Sequence, residues 1–261
     1  MNPGAPARHP WVAFRTLVRK ELYRFLRIWV QTLVPPAITM GLYFVIFGNL
    51  IGSRIGTMDG FPYMQYIAPG IIMMSVITSS YANVVSSLFS AKFQRFVEEI
   101  LVSPMPDIMI ITGYVAGGVM RGLMVGAVVT AVALCFTNLH VASPLLTLCV
   151  VLLTATLFSL AGYINALFAR KFDDISIVPT FILTPLTYLG GVFYSIDLLP
   201  PFWERLSLAN PVFYMVNAFR EGMLGKSDVA PETALAVIAG GIVVLFGVCV
   251  ILMRRGTGLR N

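Results

Sequence analysis

The chain has 261 residues, of which 57% are hydrophobic and 11% charged, with 22 glycines besides. Soluble domains carry about 25% charged and about 45–50% apolar residues with glycine counted, so a water-soluble globule is excluded and the surplus must face lipid. The formal net charge of +6 is read as a topology signal and a contact with anionic membrane lipids; no folded basic domain is present to bind nucleic acid.

A bilayer core about 30 Å thick takes about 20 apolar residues per helical crossing, so uncharged runs measure the spans. Residues 1–27 read as a cytoplasmic leader followed by an amphipathic helix lying in the interface plane. Trp11, Phe14, Val18, Leu22 and Phe25 recur at three and four residues, and Arg15, Arg19, Lys20, Arg24 and Arg27 take the other faces. Either this helix is a plain anchor, or it is an elbow touching a cytoplasmic partner. The apolar run that follows is too long for a secretory signal core, so it stays in the mature protein.

Five stretches lack any Asp, Glu, Lys, Arg or His: 28–53, 60–91, 141–169, 175–196 and 233–253. A sixth, 108–139, is broken only by Arg121. The expected fold is an all-α polytopic membrane protein whose domain covers 28–253. Its six spans lie at about 29–52, 63–90, 110–137, 145–168, 175–195 and 233–253, before a cytoplasmic tail at 254–261. Nowhere do the runs alternate as membrane strands do. With the amino terminus inside, thirteen of the eighteen Lys and Arg residues fall on inner segments; by the positive-inside rule both termini are cytoplasmic.

Between the second and third spans, a short inner helix is expected at 91–103. Phe93, Phe96, Val97, Ile100 and Leu101 mark its apolar side, while Lys92, Gln94, Arg95, Glu98 and Glu99 fill the remainder. Arg95 stands three and four residues from the two acids, a weakly favourable spacing. Two adjacent acids suit a protein partner better than an anionic leaflet, although a helix resting on lipid is the alternative. In the third span, Gly113, Gly117, Gly118, Gly122 and Gly126 form a seam that lets helix backbones approach. Arg121 beside it either lines a transport path or snorkels to headgroups.

After the fifth span, the region 196–225 is rich in proline and broken by charge, and its uncharged stretch at 206–219 is too short to cross. It reads as re-entrant helices capping a cavity, with Tyr188, Phe193, Tyr194, Phe202, Trp203, Phe213 and Tyr214 as an interfacial belt or a sugar-stacking surface. Cys135, Cys149 and Cys249 have no paired spacing, and His9 and His140 are isolated, so no disulfide or metal centre is expected. Gly225-Lys226-Ser227 lacks the upstream glycine of a phosphate loop.

The run 189–203, LGGVFYSIDLLPPFW, with Asn210-Pro211 and Phe219-Arg220, resembles the signature of type-2 ABC transporter permeases. RIWVQTLVPP at 27–36, Lys92-Phe93-Gln94-Arg95 with Glu98-Glu99, and FDDIS at 172–176 carry the likeness along the chain. The resemblance implies an exporter in the bacterial inner membrane, with an elbow helix and a coupling helix at 91–103 docked in a groove of a separate ATPase. Two permease copies, as a homodimer, would pair with two ATPases, which would hold the ATP and Mg; the chain itself would bind no cofactor and catalyse no reaction. The rivals are an ion-driven secondary transporter, for which the five uncharged runs offer no acid, and a membrane enzyme acting on lipids. The latter would have only Asp173 and Asp174 on an inner loop, where helix capping is their simpler role.

Overall fold

The computed structural model describes residues 10–103 and 105–258, the side chain of Asn49 excepted. The leader before Pro10, with Arg8 and His9, and Pro104 and Arg260 lie outside the described residues. The amphipathic helix is α1, Pro10–Arg27. A break at Ile28 leads to α2, Trp29–Tyr43, which runs on through π-helical turns at Phe44–Ile51 into α3, Gly52–Ile55. Pro35 and Pro36 sit inside α2 and cannot donate to the carbonyls one turn back. A small antiparallel hairpin, β1 (Thr57–Met58) with β2 (Phe61–Pro62), pairs Thr57 with Pro62.

Next come α4, Tyr63–Phe93; α5, Phe96–Val102; α6, Asp107–Leu134; and α7, Pro144–Phe168. Five helical stretches are long and apolar enough to cross a membrane: Trp29–Ile55, α4, α6, α7 and α12, Pro231–Arg254. The stretch expected as a fifth span is shorter. α8 (Asp174–Val178), π-helical Pro179–Leu183 and α9 (Thr184–Tyr188) make three pieces of five residues each. At 1.5 Å per residue they rise about 22 Å, less than the hydrocarbon thickness of about 30 Å. Pro179 and Pro185 lack the N–H that a regular α-helix needs there, which accounts for the irregular pitch.

This broken helix nevertheless carries the chain from one end of the bundle toward the other. Just before it, Phe172 packs edge-on against Phe89 and Phe93 beside α5. At its far end, Tyr188 meets the Tyr43 hydroxyl at 3.1 Å, and a Cβ on Gly70 would lie 2.8 Å from the backbone of Val192. The re-entrant region follows as a 3-10 turn at Ile196–Leu198, α10 (Pro201–Leu208) and α11 (Pro211–Leu224). The uncharged stretch at 206–219 is divided: 206–208 close α10, and α11 takes 211–219 and continues through Arg220 to Leu224; Asn210 caps α11 by accepting from the Val212 N–H at 2.9 Å.

The core centres on α4, which packs against α6, α7 and α11. Of its most apolar window 83% is buried, against 18% for the first span and 11% for α12. Those two outer helices present the apolar surface available to lipid or to a second subunit.

Candidate functional site

The end of the bundle carrying α5 is built from the carboxyl ends of α4, α7 and α12. The helix expected at 91–103 is divided. Residues 91–93 finish α4, Arg95 takes a left-handed conformation with φ 63°, and α5 starts at Phe96. A non-glycine residue in that region is uncommon and turns the chain sharply. Val97, 4% exposed, and Ile100 face inward, so α5 is anchored by two apolar residues. Its outward side shows Phe96, Leu101 and Val102 with Glu98 and Glu99, and Phe93 of α4 stands beside it. Val102 is 87% exposed and Phe93 61%.

Lys92 points elsewhere. Its Nζ donates to the carbonyls of Leu167 and Ala169, each at 2.7 Å, neutralising the carboxyl end of α7. Arg95 forms no ion pair with Glu98 or Glu99 among the described residues. Between α4, α7 and the chain beyond α12 lies a cavity of about 760 Å³, bordered by Phe89, Lys92, Phe93, Arg95, Phe168, Arg170 and Thr257. The loop below it is closed by Asp174, which accepts from the backbone N–H of Arg170 at 2.8 Å and of Lys171 at 3.0 Å. Those two bonds hold its carboxyl below the usual carboxylate range.

The glycine seam of α6 serves two neighbours. A Cβ on Gly113 would stand 2.6 Å from Leu17, and one on Gly117 2.8 Å from the Cβ of Glu21, so this edge receives α1. Gly118, Gly122 and Gly126 instead face Ser80, Val84 and Val76 of α4, with Ser159 of α7 beside Gly118. α1 is therefore seated in the bundle by Leu17, Glu21 and Phe25 rather than by Trp11, which is exposed.

Glu21 is fully buried. The Ser87 hydroxyl donates to Oε1 at 2.8 Å, and Arg24 Nε lies 3.5 Å from Oε2. Arg24 in turn donates to the Asn83 carbonyl and side-chain oxygen at 3.0 and 2.8 Å. Sequence periodicity singled out the arginines of α1 but passed over Glu21, Asn83 and Ser87. The one legible signal was an acid four residues from both Leu17 and Phe25, on the stripe that turned out to be buried. Arg121 is half-buried one turn from Gly117, and its Nε makes no hydrogen bond among the described residues.

At the opposite end, Arg220 gathers the re-entrant region. It is 2% exposed, its Nη2 donates to the Gly191 carbonyl at 2.6 Å, and its guanidinium lies 4.0 Å above the Tyr66 ring. Asp228 Oδ2 is 3.9 Å away, and Asn217 Oδ1 accepts from the Asp228 N–H at 3.2 Å. Burial pushes the Asp228 carboxyl up, and the Arg220 charge works against that shift. Lys226 donates to the Asp59 carbonyl at 2.8 Å, tying this loop to the β-hairpin. Arg220, one of the charges that break the region 196–225 in the sequence, is thus a buried residue. At the same end Tyr43, Phe47, Tyr188 and Phe193 form a contiguous aromatic cluster, with Phe47 and Phe193 stacked at 4.5 Å.

The ABC-2 type transporter family matches residues 12–224. The inner membrane transport permease YadH of Escherichia coli (strain K12) is 61% identical over 251 residues, covering 96% of this chain and 98% of that protein; its Shigella flexneri counterpart matches equally. Nodulation protein J of Rhizobium leguminosarum bv. viciae is 25% identical over 215 residues, 82% of this chain and 83% of its own length. With the matched region running from α1 through α11, the chain belongs to the ABC-2 type transporter family.

Proposed function

We propose that this transport permease is the membrane subunit of an ATP-driven exporter, coupled to a separate ATPase through α5. The observation that carries the reading is the outward side of α5: Phe96, Leu101, Val102 and adjacent Phe93 are exposed at one end of the bundle, next to two acids. Apolar side chains clustered on a short, internally anchored helix suit a protein groove, where aromatic residues contribute most to binding. The assembly we infer is a permease homodimer with two ATPases, which bind the ATP and Mg. YadH carries the description inner membrane transport permease, and a bacterial cytoplasmic membrane is the location proposed for this chain, with the α5 end and both termini inside. That orientation requires an even number of crossings. Residues 175–195 supply the sixth, part helix and part irregular backbone, which is tolerated at depth because Gly190 to Val192 pack on α4 and α11.

ATP binding draws the two ATPases together. Their motion reaches α5, then α4 at Arg95, and α4 is the buried hub against which α6, α7 and α11 pack. α1 follows α4 through the Glu21, Ser87, Arg24 and Asn83 bonds. An ion-driven mechanism needs a carboxylate able to load and release its ion, whereas Glu21 is held by Ser87 and Arg24. The expected outcome of Phe96→Glu with Val102→Glu is at least a tenfold loss of ATPase from affinity-purified permease, with membrane insertion unchanged; truncating central interface anchors costs about 2 kcal/mol or more. Ile100, half-buried against the bundle, is left intact so that α5 keeps its seat. Undiminished recovery of the ATPase would refute the docking role.

A further inference from the structure

The cavity at the α5 end has a chemistry that the docking face does not explain. Its charged lining is Lys92, Arg95 and Arg170, and no acid borders it among the described residues. Lys92 is committed to the α7 carbonyls and so offsets the negative dipole end that α7 would otherwise present to an anion. Asp174, four residues after Arg170, is engaged by two backbone N–H groups. Arg95 and Arg170 remain exposed, and neither guanidinium has a hydrogen-bond or ion-pair partner among the described residues. The walls beside them are Phe89, Phe93 and Phe168, with Phe93 and Phe168 largely exposed.

Two guanidiniums and exposed aromatic rings lining one cavity match one kind of ligand. Arginine forks hold phosphate oxygens, and the rings accept hydrocarbon. Basic pockets between membrane helices on the inner side bind anionic headgroups. We propose that this cavity holds an anionic phospholipid of the inner leaflet, its phosphate between Arg95 and Arg170 and its acyl chains along Phe93 and Phe168. Such a lipid would sit behind α5, at the left-handed turn where α4 passes into the coupling segment. The site rests on the proposed placement of the α5 end at the cytoplasmic leaflet, but not on ATPase docking.

The test is native mass spectrometry of the permease alone, released from mixed phosphatidylglycerol and phosphatidylcholine nanodiscs. Wild-type protein is expected to retain phosphatidylglycerol selectively. Arg95→Gln or Arg170→Gln should each lower that retention about 5-fold and the pair about 30-fold, the factors set by one basic residue near an anionic headgroup. Arg54→Gln with Arg205→Gln, exposed at the opposite end, should leave it unchanged, and a monodisperse elution profile establishes that each variant is folded. Equal retention in the Arg95/Arg170 pair would overturn the proposal. So would complete displacement of the retained phosphatidylglycerol by inorganic phosphate, which would assign the cavity to a free anion rather than to a lipid.

Discussion

Arg220 shows how one side chain can hold an irregular segment in place. Past Gly190 the chain leaves helical pairing until the 3-10 turn at Ile196, and the Gly191 carbonyl finds its donor in Arg220 instead. Tyr66 below and Asp228 beside it offset the cost of burying the guanidinium. Arg220→Ala is expected to destabilise the protein by about 3 kcal/mol, the scale for breaking a buried pair, measured by thermal unfolding in detergent; Arg220→Lys should recover little, since an ammonium cannot keep both the fork and the stacking. An unchanged melting temperature would contradict the pinning role. At this scale the sequence was least informative. Arg220 and Glu21 look like surface charges on amphipathic segments, and only the packing of α11 against α4 and of α1 against α6 reveals them as buried.

Among the elements, glycine spacing in α6 was visible as a seam, but which neighbour each glycine receives was not. Gly113 and Gly117 lie on one edge and take α1, whereas Gly118, Gly122 and Gly126 lie on the next and take α4. The assignment follows from the 100° step of the helix, which separates Gly117 from Gly118 by more than a quarter turn. Gly117→Leu should drive α1 off its seat at a cost of about 1–3 kcal/mol, the usual effect of overpacking. Faster hydrogen exchange in α1 with α4 unaffected is the signature to look for; equal protection in both would show that α1 is held elsewhere. The helix α5 was likewise legible from its period, while the break at Arg95 and the capture of Lys92 by α7 were not. The capture depends on where α7 ends, information carried some 75 residues away in sequence.

For the molecule as a whole, uncharged runs located the membrane-crossing helices because hydrocarbon penalises charge along every buried turn. They failed to show that 175–195 forms a broken helix, since proline there alters backbone pitch without changing hydropathy. Topology tests the six-crossing reading: a reporter fused after Met253 should be active on the cytoplasmic side and one fused between Gly225 and Pro231 on the outer side, while reporters showing both on the same side would eliminate it. The central claim is that force enters through α5 from an ATPase. A cysteine placed at Phe96, with Cys135, Cys149 and Cys249 replaced by alanine, tests it most directly in membranes containing the ATPase. A bifunctional crosslinker should join position 96 to the ATPase, and a cysteine at Trp203 on the opposite end should not react with it. Crosslinking from 203 but not from 96, or from neither, would contradict the account.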